Sequence, residues 1–253
     1  ECGGATMRHA GFGTERLEED VRKVFDGFGC RRMDSDSMRS LAEYETTLAD
    51  FRSGKTHILL GTQMIAKGLD FPNVRVVGVI NADAALGLPD FRAAERTFQL
   101  VAQVAGRTGR GEHPGRALVQ TQRPDDPALV AAVTHDYAAF AGPELELRKR
   151  HDYPPFSRLV RIIVRAPEEK EADVAARAIA AALKREPLPE QSMRLLGPAA
   201  APVPRARDRH RRHLQLLVPK GFPLAAFLDD RLQSLKLPAN AEYAVDVDAL
   251  NLL

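Results

Sequence analysis

The chain has 253 residues, 44% of them hydrophobic, with 36 basic against 34 acidic side chains and a net charge of +2. That apolar content fills one large domain or two ordinary ones and excludes a disordered chain. No apolar run approaches the ~18–20 residues that cross a bilayer, and the near-neutral balance excludes a histone-like nucleic-acid binder.

Cys2 and Cys30 are the only two cysteines, too few for a disulfide framework. A reducing, cytoplasmic setting is therefore expected. The first residues show no basic-then-apolar leader, and the chain opens at Glu1 rather than methionine, so its start is expected to be processed or truncated. Residues 1–155 carry a net −2 and residues 156–253 a net +4. Between them stands Tyr153-Pro154-Pro155-Phe156, whose double proline disfavours helix and marks a domain boundary.

The first part alternates α and β. Gly11-Phe12-Gly13-Thr14 reads as a loop with Thr14 as N-cap of a helix over about 15–25. Cys30 to Asp34 reads as a short strand, and a second helix over about 39–52 ends near Ser53-Gly54. His57–Leu60 and Arg75–Ile80 are buried-strand candidates. Arg92 to about Arg107 reads as a helix with Phe98, Val101, Val104 and Ala105 on one face. Ala117–Gln120 is a further strand. Such alternation predicts a mostly parallel sheet covered on both faces.

In the second part, Arg158–Arg165 alternates with Val160, Ile162 and Val164 on one face. A helix over 168–186 turns Val174, Ile179, Ala182 and Leu183 inward. A Pro/Arg-rich loop leads to a strand with Leu214, Leu216 and Val218 on one face, then a helix over Leu224–Lys236. Tyr243, Val245 and Val247 share one face of a last strand. The expected order is βαβαβ, a small α/β domain.

Ser53-Gly54-Lys55-Thr56 imitates a phosphate loop. That motif needs a second glycine where Ala49 stands, and a strand before it and a helix after it. The order here is reversed, so Gly54 reads as the end of a helix.

Two strings carry chemistry. Gln103-Val104-Ala105-Gly106-Arg107-Thr108-Gly109-Arg110-Gly111 places two arginine forks three residues apart among glycines, a pattern suited to phosphate oxygens. A helix end complemented by cations explains one arginine and one glycine, not the whole alternation. Gly61-Thr62-Gln63-Met64-Ile65-Ala66-Lys67-Gly68-Leu69-Asp70-Phe71-Pro72 follows a strand directly, where parallel sheets gather ligands. Asp70 either accepts from a ribose hydroxyl or serves as a turn residue before Phe71-Pro72.

Together these strings resemble motifs VI and V of superfamily 2 helicases. More narrowly, the chain resembles the C-terminal part of the primosomal protein N′ (PriA) family of replication-restart helicases. Gly11–Glu15, Arg32-Met33-Asp34-Ser35-Asp36, Asp83, Asp90–Arg96, Tyr153–Phe156, Leu196–Ala199 and Asp246-Val247-Asp248 extend the resemblance over nearly the whole chain. It implies three parts: residues 1–10, the remnant of a zinc-binding insertion; residues 11–150, the second RecA-like lobe; and residues 156–253, the family's C-terminal domain. The implied enzyme is an ATP-dependent 3′–5′ DNA helicase that acts at stalled or repaired forks.

By that resemblance, Arg107 and Arg110 reach ATP, at least one as an arginine finger, and Gln103 joins the inter-lobe network. Gly68 and Asp70 sit near the nucleotide, and Thr62 and Gln63 near DNA. Cys2 is a leftover zinc ligand, and one cysteine cannot make a structural zinc site. ATP and Mg²⁺ need the first lobe, whose phosphate loop and acidic box are absent from these residues. The 253 residues alone are expected to be inactive, and zinc belongs to the whole protein. Expected partners are branched and single-stranded DNA, single-strand-binding protein and primosome proteins, with no membrane.

Between 205 and 212 stand Arg205, Arg207, Arg209, Arg211 and Arg212 against one aspartate, Asp208. This segment reads either as a solvated hairpin-like loop or as a clamp on DNA phosphates. The family's C-terminal domain binds branched DNA, which favours the clamp. His210 and Arg212 stand where the family tends to carry aromatics, so the expected contact is electrostatic rather than stacking. A RecG-like branch-migration helicase shares motif VI but not Tyr153-Pro154-Pro155 or Asp246-Val247-Asp248. A non-catalytic DNA- or protein-binding module would not need both Arg107 and Arg110.

Overall fold

The computed structural model describes residues 13–34, 37–38, 40–62, 71, 73–106, 115–185 and 193–252. They fall into two compact units, one within Glu1–Asp83 and Thr97–His135, the other within Ala84–Arg96 and Asp136–Leu253.

In the first unit, helix α1 (Thr14–Val24) opens with Gly13 as its cap residue and no side-chain cap bond. Thr14 is therefore not the cap that its position suggests; its hydroxyl is engaged elsewhere. Strand β1 (Cys30–Met33) pairs in parallel with β2 (Ile58–Gly61). Between them lies α2 (Leu41–Arg52), where the Ser40 hydroxyl accepts from the Glu43 N–H at 3.2 Å. That bond satisfies one of the free donors of the first turn. Met33 and Leu48 are buried there, with Met38, Tyr44, Leu59 and Phe71 packed against them. Just past α2, Gly54 takes φ +79°, the left-handed conformation that ends helices. Lys55 pairs with Asp50 at 3.2 Å, so the phosphate-loop imitation is a helix terminus.

A second parallel pair joins β3 (Val76–Val79) to β4 (Arg116–Val119). Helix α3 (Asp83–Leu86) is a single turn. Helix α4 (Ala93–Ala105) buries Phe98, Val101 and Val104 at helical spacing, as its pattern predicts. Two further helices were not read from the sequence: α5 (Pro127–Val133) and α6 (Tyr137–Arg150). Their signals are Asp126 before Pro127, and Asp136; these carboxylates accept from Ala128 N–H and Ala139 N–H at 3.0 and 2.9 Å.

The second unit corrects the expected βαβαβ order. Its sheet has four strands, β5 (Ser157–Ala166), β6 (Arg194–Ala206), β7 (Arg209–Pro219) and β8 (Glu242–Val247), in spatial order β6-β7-β5-β8. Every neighbouring pair is antiparallel. The strand missed from sequence is β6, whose three prolines and Gly197 disguise it as loop. Its pairing with β7 shifts register twice, between Leu196 and Ala199 and between Ala200 and Arg205, and such irregularities are where a strand tolerates proline.

Helices α7 (Glu169–Leu183) and α8 (Leu224–Leu232) cover one face of this sheet. Val160, Ile162, Val164, Leu214, Leu216 and Val218 point at them from alternate positions. In α7 the buried face is Ala172, Ala175, Ala176, Ile179, Ala180 and Leu183. Val174, expected inside, is 49% exposed; small alanines let the helix lie close to the sheet and turn Val174 away. Helix α8 ends at Leu232, short of the expected Lys236. The opposite face of the sheet buries Leu159 and Leu217 beneath Ala249 and Leu252, with Phe91 and Tyr153 packed alongside.

Candidate nucleotide and nucleic-acid sites

Strands β1 and β2 end side by side, with Met33 opposite Gly61. The next residues, Asp34 and Thr62, thus sit at the carboxyl edge where open α/β sheets gather ligands. Thr62 is exposed there. Asp34 is buried and spoken for. It accepts from the Thr14 hydroxyl at 2.6 Å and the Ser37 N–H at 2.8 Å, with Arg32 Nε 3.4 Å away. The Thr14 hydroxyl is the chief reason its carboxyl is held down to about 2, against the opposing effect of burial. This latch fastens the first turn of α1 to the end of β1. Reading Thr14 as a cap missed it; the usable signal is a carboxylate directly after a strand.

Gln103 is exposed on the last turn of α4, with Val101 and Val104 buried on the opposite side. The Gly106 N–H donates to Ala102 O at 3.0 Å, closing the helix immediately before Arg107. Arg107, Arg110, Gly68, Asp70, Gln63 and Cys2 lie outside the described residues. Cys30 does not offer a zinc site. It is buried in β1, burial raises its thiol pKa, and no group of three or more His, Cys, Asp or Glu able to hold a metal occurs among the described residues.

The segment between the two strings is well anchored. Asp83 accepts from the Thr121 hydroxyl at 2.9 Å and the Gln122 N–H at 2.8 Å, and the latter bond leads in lowering its pKa. The Asp90 carboxylate lies 3.1 Å from Arg96 and accepts from the Arg92 N–H at 3.0 Å and the Leu252 N–H at 3.4 Å. Arg96 also donates to Leu250 O. Arg148 holds Glu95 and Glu144, each at 2.8 Å, and lies over Phe91, which stacks on Tyr153. The first turn of α4 is thereby fastened within the second unit, whereas Thr97 onward belongs to the first.

The arginine-rich segment is a β-hairpin, not a loop. Arg205 pairs with His210 and Ala206 with Arg209. Arg207 and Asp208 form the turn at φ +50° and +59°, as a two-residue hairpin turn requires. Strand alternation splits the five arginines. Arg212 faces α7, where it is buried. Its guanidinium meets Asp173 at 2.5 and 3.1 Å and Glu169 at 2.7 Å. Those bonds raise its pKa, Asp173 first, and lower that of Asp173. The Arg212 expected at DNA is engaged within its own unit: Nε and Nη2 donate to the two carboxylates and Nη1 to Arg211 O. Arg205 and Arg207 are exposed at the tip, with Arg205 3.5 Å from Asp208. Arg209 and Arg211 lie on the face away from the helices.

The helicase conserved C-terminal domain matches residues 11–112, and the primosomal protein N C-terminal domain matches residues 149–250. "Replication restart protein PriA" of Bacillus subtilis (strain 168) is 42% identical over 236 residues, covering 93% of this chain and 29% of that protein. The Treponema pallidum protein of the same name is 40% identical over 258 residues, covering 100% of this chain and 38% of the relative. That of Synechocystis is 34% identical over 252 residues, at 100% and 30% coverage. The chain thus spans about a third of the length of these relatives. With a helicase C-terminal lobe followed by the primosomal C-terminal domain, in the same order as the string of paired arginines and the arginine-rich hairpin, the chain belongs to the PriA replication-restart family.

Proposed function

We propose that this chain supplies half of the ATPase site and part of the DNA grip of an ATP-dependent 3′–5′ DNA helicase working at stalled or repaired replication forks. The observation that carries this is the helicase match across 11–112, which runs through the string Gln103 to Gly111. Arg107 and Arg110 would stabilise charge on the γ-phosphate, a role worth ~10³–10⁵ in rate in related NTPases. Gln103, exposed on the preceding turn, joins them in the inter-lobe network. Gly68 and Asp70 serve the nucleotide, and Thr62 and Gln63 the DNA backbone. Residues 1–10 correspond to the end of the zinc-binding insertion with Cys2 as a former ligand, 11–150 to the lobe, and 156–253 to the C-terminal domain.

ATP and Mg²⁺ require a phosphate loop and an acidic box that residues 1–253 do not contain, so these residues alone do not hydrolyse ATP. Arg205, Arg207, Arg209 and Arg211 engage phosphates of branched or single-stranded DNA. Single-strand-binding protein and primosome proteins are the protein partners, in the cytoplasm. No described helix is long and apolar enough to cross a membrane. The test is Arg110→Ala in the complete polypeptide. DNA-stimulated ATPase should fall by orders of magnitude while DNA binding persists. Undiminished ATPase would take Arg110 out of the site and favour a degenerate lobe that serves binding rather than hydrolysis.

A further inference from the structure

The Asp90 carboxylate is fully buried and is held from three places. Its Oδ1 accepts from the Arg92 N–H at 3.0 Å; its Oδ2 lies 3.1 Å from Arg96 and accepts from the Leu252 N–H at 3.4 Å. The backbone that supplies Leu252 is itself tied on two sides. The Asp248 N–H donates to Leu159 O at 2.8 Å, Leu250 O accepts from Arg96, and Asn251 O accepts from Arg161 of β5 at 2.9 Å. Ala249 and Leu252 are each 1% exposed and pack with Leu159, Leu217 and Phe91. Residues 248–252 thus form a strap, fastened to β5 and to the first turn of α4.

The same turn carries a second tie. Glu95 adjoins Arg96, about 100° round the helix, and pairs with Arg148 of α6 at 2.8 Å, which Glu144 holds in turn at 2.8 Å. Two directional ties on different sides of one turn fix its rotation as well as its place. Stability alone does not call for them: replacing a buried ion pair by well-packed apolar groups is often neutral, and a directional pair is of most use where it selects one arrangement. Helix α4 runs unbroken from Ala93 to Ala105, about 20 Å at 1.5 Å per residue. The orientation of its first turn is therefore carried to the exposed Gln103 and to Gly106, which precedes Arg107. At a side-chain radius of about 5–6 Å, a rotation of about 10° sweeps a tip through about 1 Å. A misplacement of that size at a reacting centre can cost ~10²-fold in rate.

We propose that Asp90 and Arg96 are positioning residues for ATP hydrolysis: together with the strap of residues 248–252 they set the rotation of α4, and so the aim of Gln103 and of the paired arginines that follow. This rests on the reading that residues 103–111 serve the nucleotide. Neither Asp90 nor Arg96 touches the substrate; both act through the helix. The second unit, through β5 and the strap, thereby has a hold on the rate of hydrolysis that is separate from any hold on DNA.

The test is steady-state ATPase of the complete polypeptide at saturating single-stranded oligonucleotide. Variants are Asp90→Asn, Arg96→Gln and their double, with Arg107→Ala plus Arg110→Ala as the reference pair. Each single variant should lower kcat on the order of 10–100-fold, with KM for ATP and oligonucleotide affinity unchanged. The double variant should be no slower than the slower single, because both remove one anchor and their effects do not add. Amide exchange should quicken at residues 102–106 and stay as in wild type at residues 160–164. Wild-type kcat in both singles, with hydrolysis lost in the reference pair, overturns the positioning role and leaves the nucleotide reading intact. Undiminished hydrolysis in the reference pair overturns both. A fall in kcat matched by a fall in oligonucleotide affinity and by faster exchange at residues 160–164 is general loosening, and the proposal fails. Should circular dichroism show Asp90→Asn unfolded, Arg96→Gln, at a side chain 29% exposed, decides by the same readings.

Discussion

Arg212→Ala should unsettle the second unit without touching its hold on DNA. The side chain is 11% exposed and fastens β7 to α7 through Asp173 and Glu169. Hydrogen bonds to charged groups contribute about 1.5–3 kcal/mol each in favourable cases. Here the gain is smaller, because Asp173 and Glu169 are 36% and 63% exposed and regain water when the arginine is removed. Truncation also strips the aliphatic stem that covers the sheet. Together these give a loss of about 2 kcal/mol, or a fall in Tm of several degrees for a unit of this size. The assay is urea unfolding followed by circular dichroism, with Asp173→Ala and the double variant completing a cycle. A coupling of about 1 kcal/mol is expected, within the range for contacting residues. Oligonucleotide affinity should be unchanged. Wild-type stability in Arg212→Ala, or a loss of DNA affinity equal to that of Arg211→Gln, would refute the division of the two sides of β7.

Thr14→Val removes the hydroxyl that does most to hold the Asp34 carboxyl near 2. A carboxylate with a depressed folded pKa stabilises fully above its unfolded value, and that gain is lost as pH falls through the folded one. The variant should therefore be less stable than wild type at neutral pH, with the gap closing between about pH 4 and pH 2; a pH-independent gap in urea midpoints would exclude the latch. Gly197 sits at φ +92°, where an added Cβ would lie 2.8 Å from His213 O. Gly197→Ala should cost about 1–3 kcal/mol and loosen β6 from β7, read as faster amide exchange along Arg194–Leu196; unchanged exchange would contradict that. Asp90→Asn weakens the anchor shared by Arg96 and Leu252 and should speed amide exchange at Leu252; wild-type exchange there would mean that the anchor is carried by packing alone.

What was legible followed from periodicity. Buried alternation in Val160-Ile162-Val164 and Leu214-Leu216-Val218 marked core strands correctly because one face of each meets helices. Helical spacing placed Phe98, Val101 and Val104 inward. Strand β6 was hidden because its prolines and Gly197 suit an edge strand with register shifts, a context that local propensity cannot see. The hairpin arginines were visible as a charge run, but their separation into two faces required the register, since a single residue step turns Arg211 toward one side and Arg212 toward the other. The partner of Thr14, 20 residues away at Asp34, is likewise a fact of packing. Gln103 and Thr62 were singled out by motif, and both are exposed.

The central claim is that these residues complete a nucleotide site through the arginines that follow α4. Its most direct measurement is single-turnover ATP hydrolysis by the complete polypeptide with Arg107→Ala and Arg110→Ala together, at saturating DNA and ATP. Hydrolysis should fall by about 10³-fold or more, as for a lost arginine finger, with oligonucleotide affinity in the absence of nucleotide unchanged. Hydrolysis within a few-fold of wild type would contradict the account.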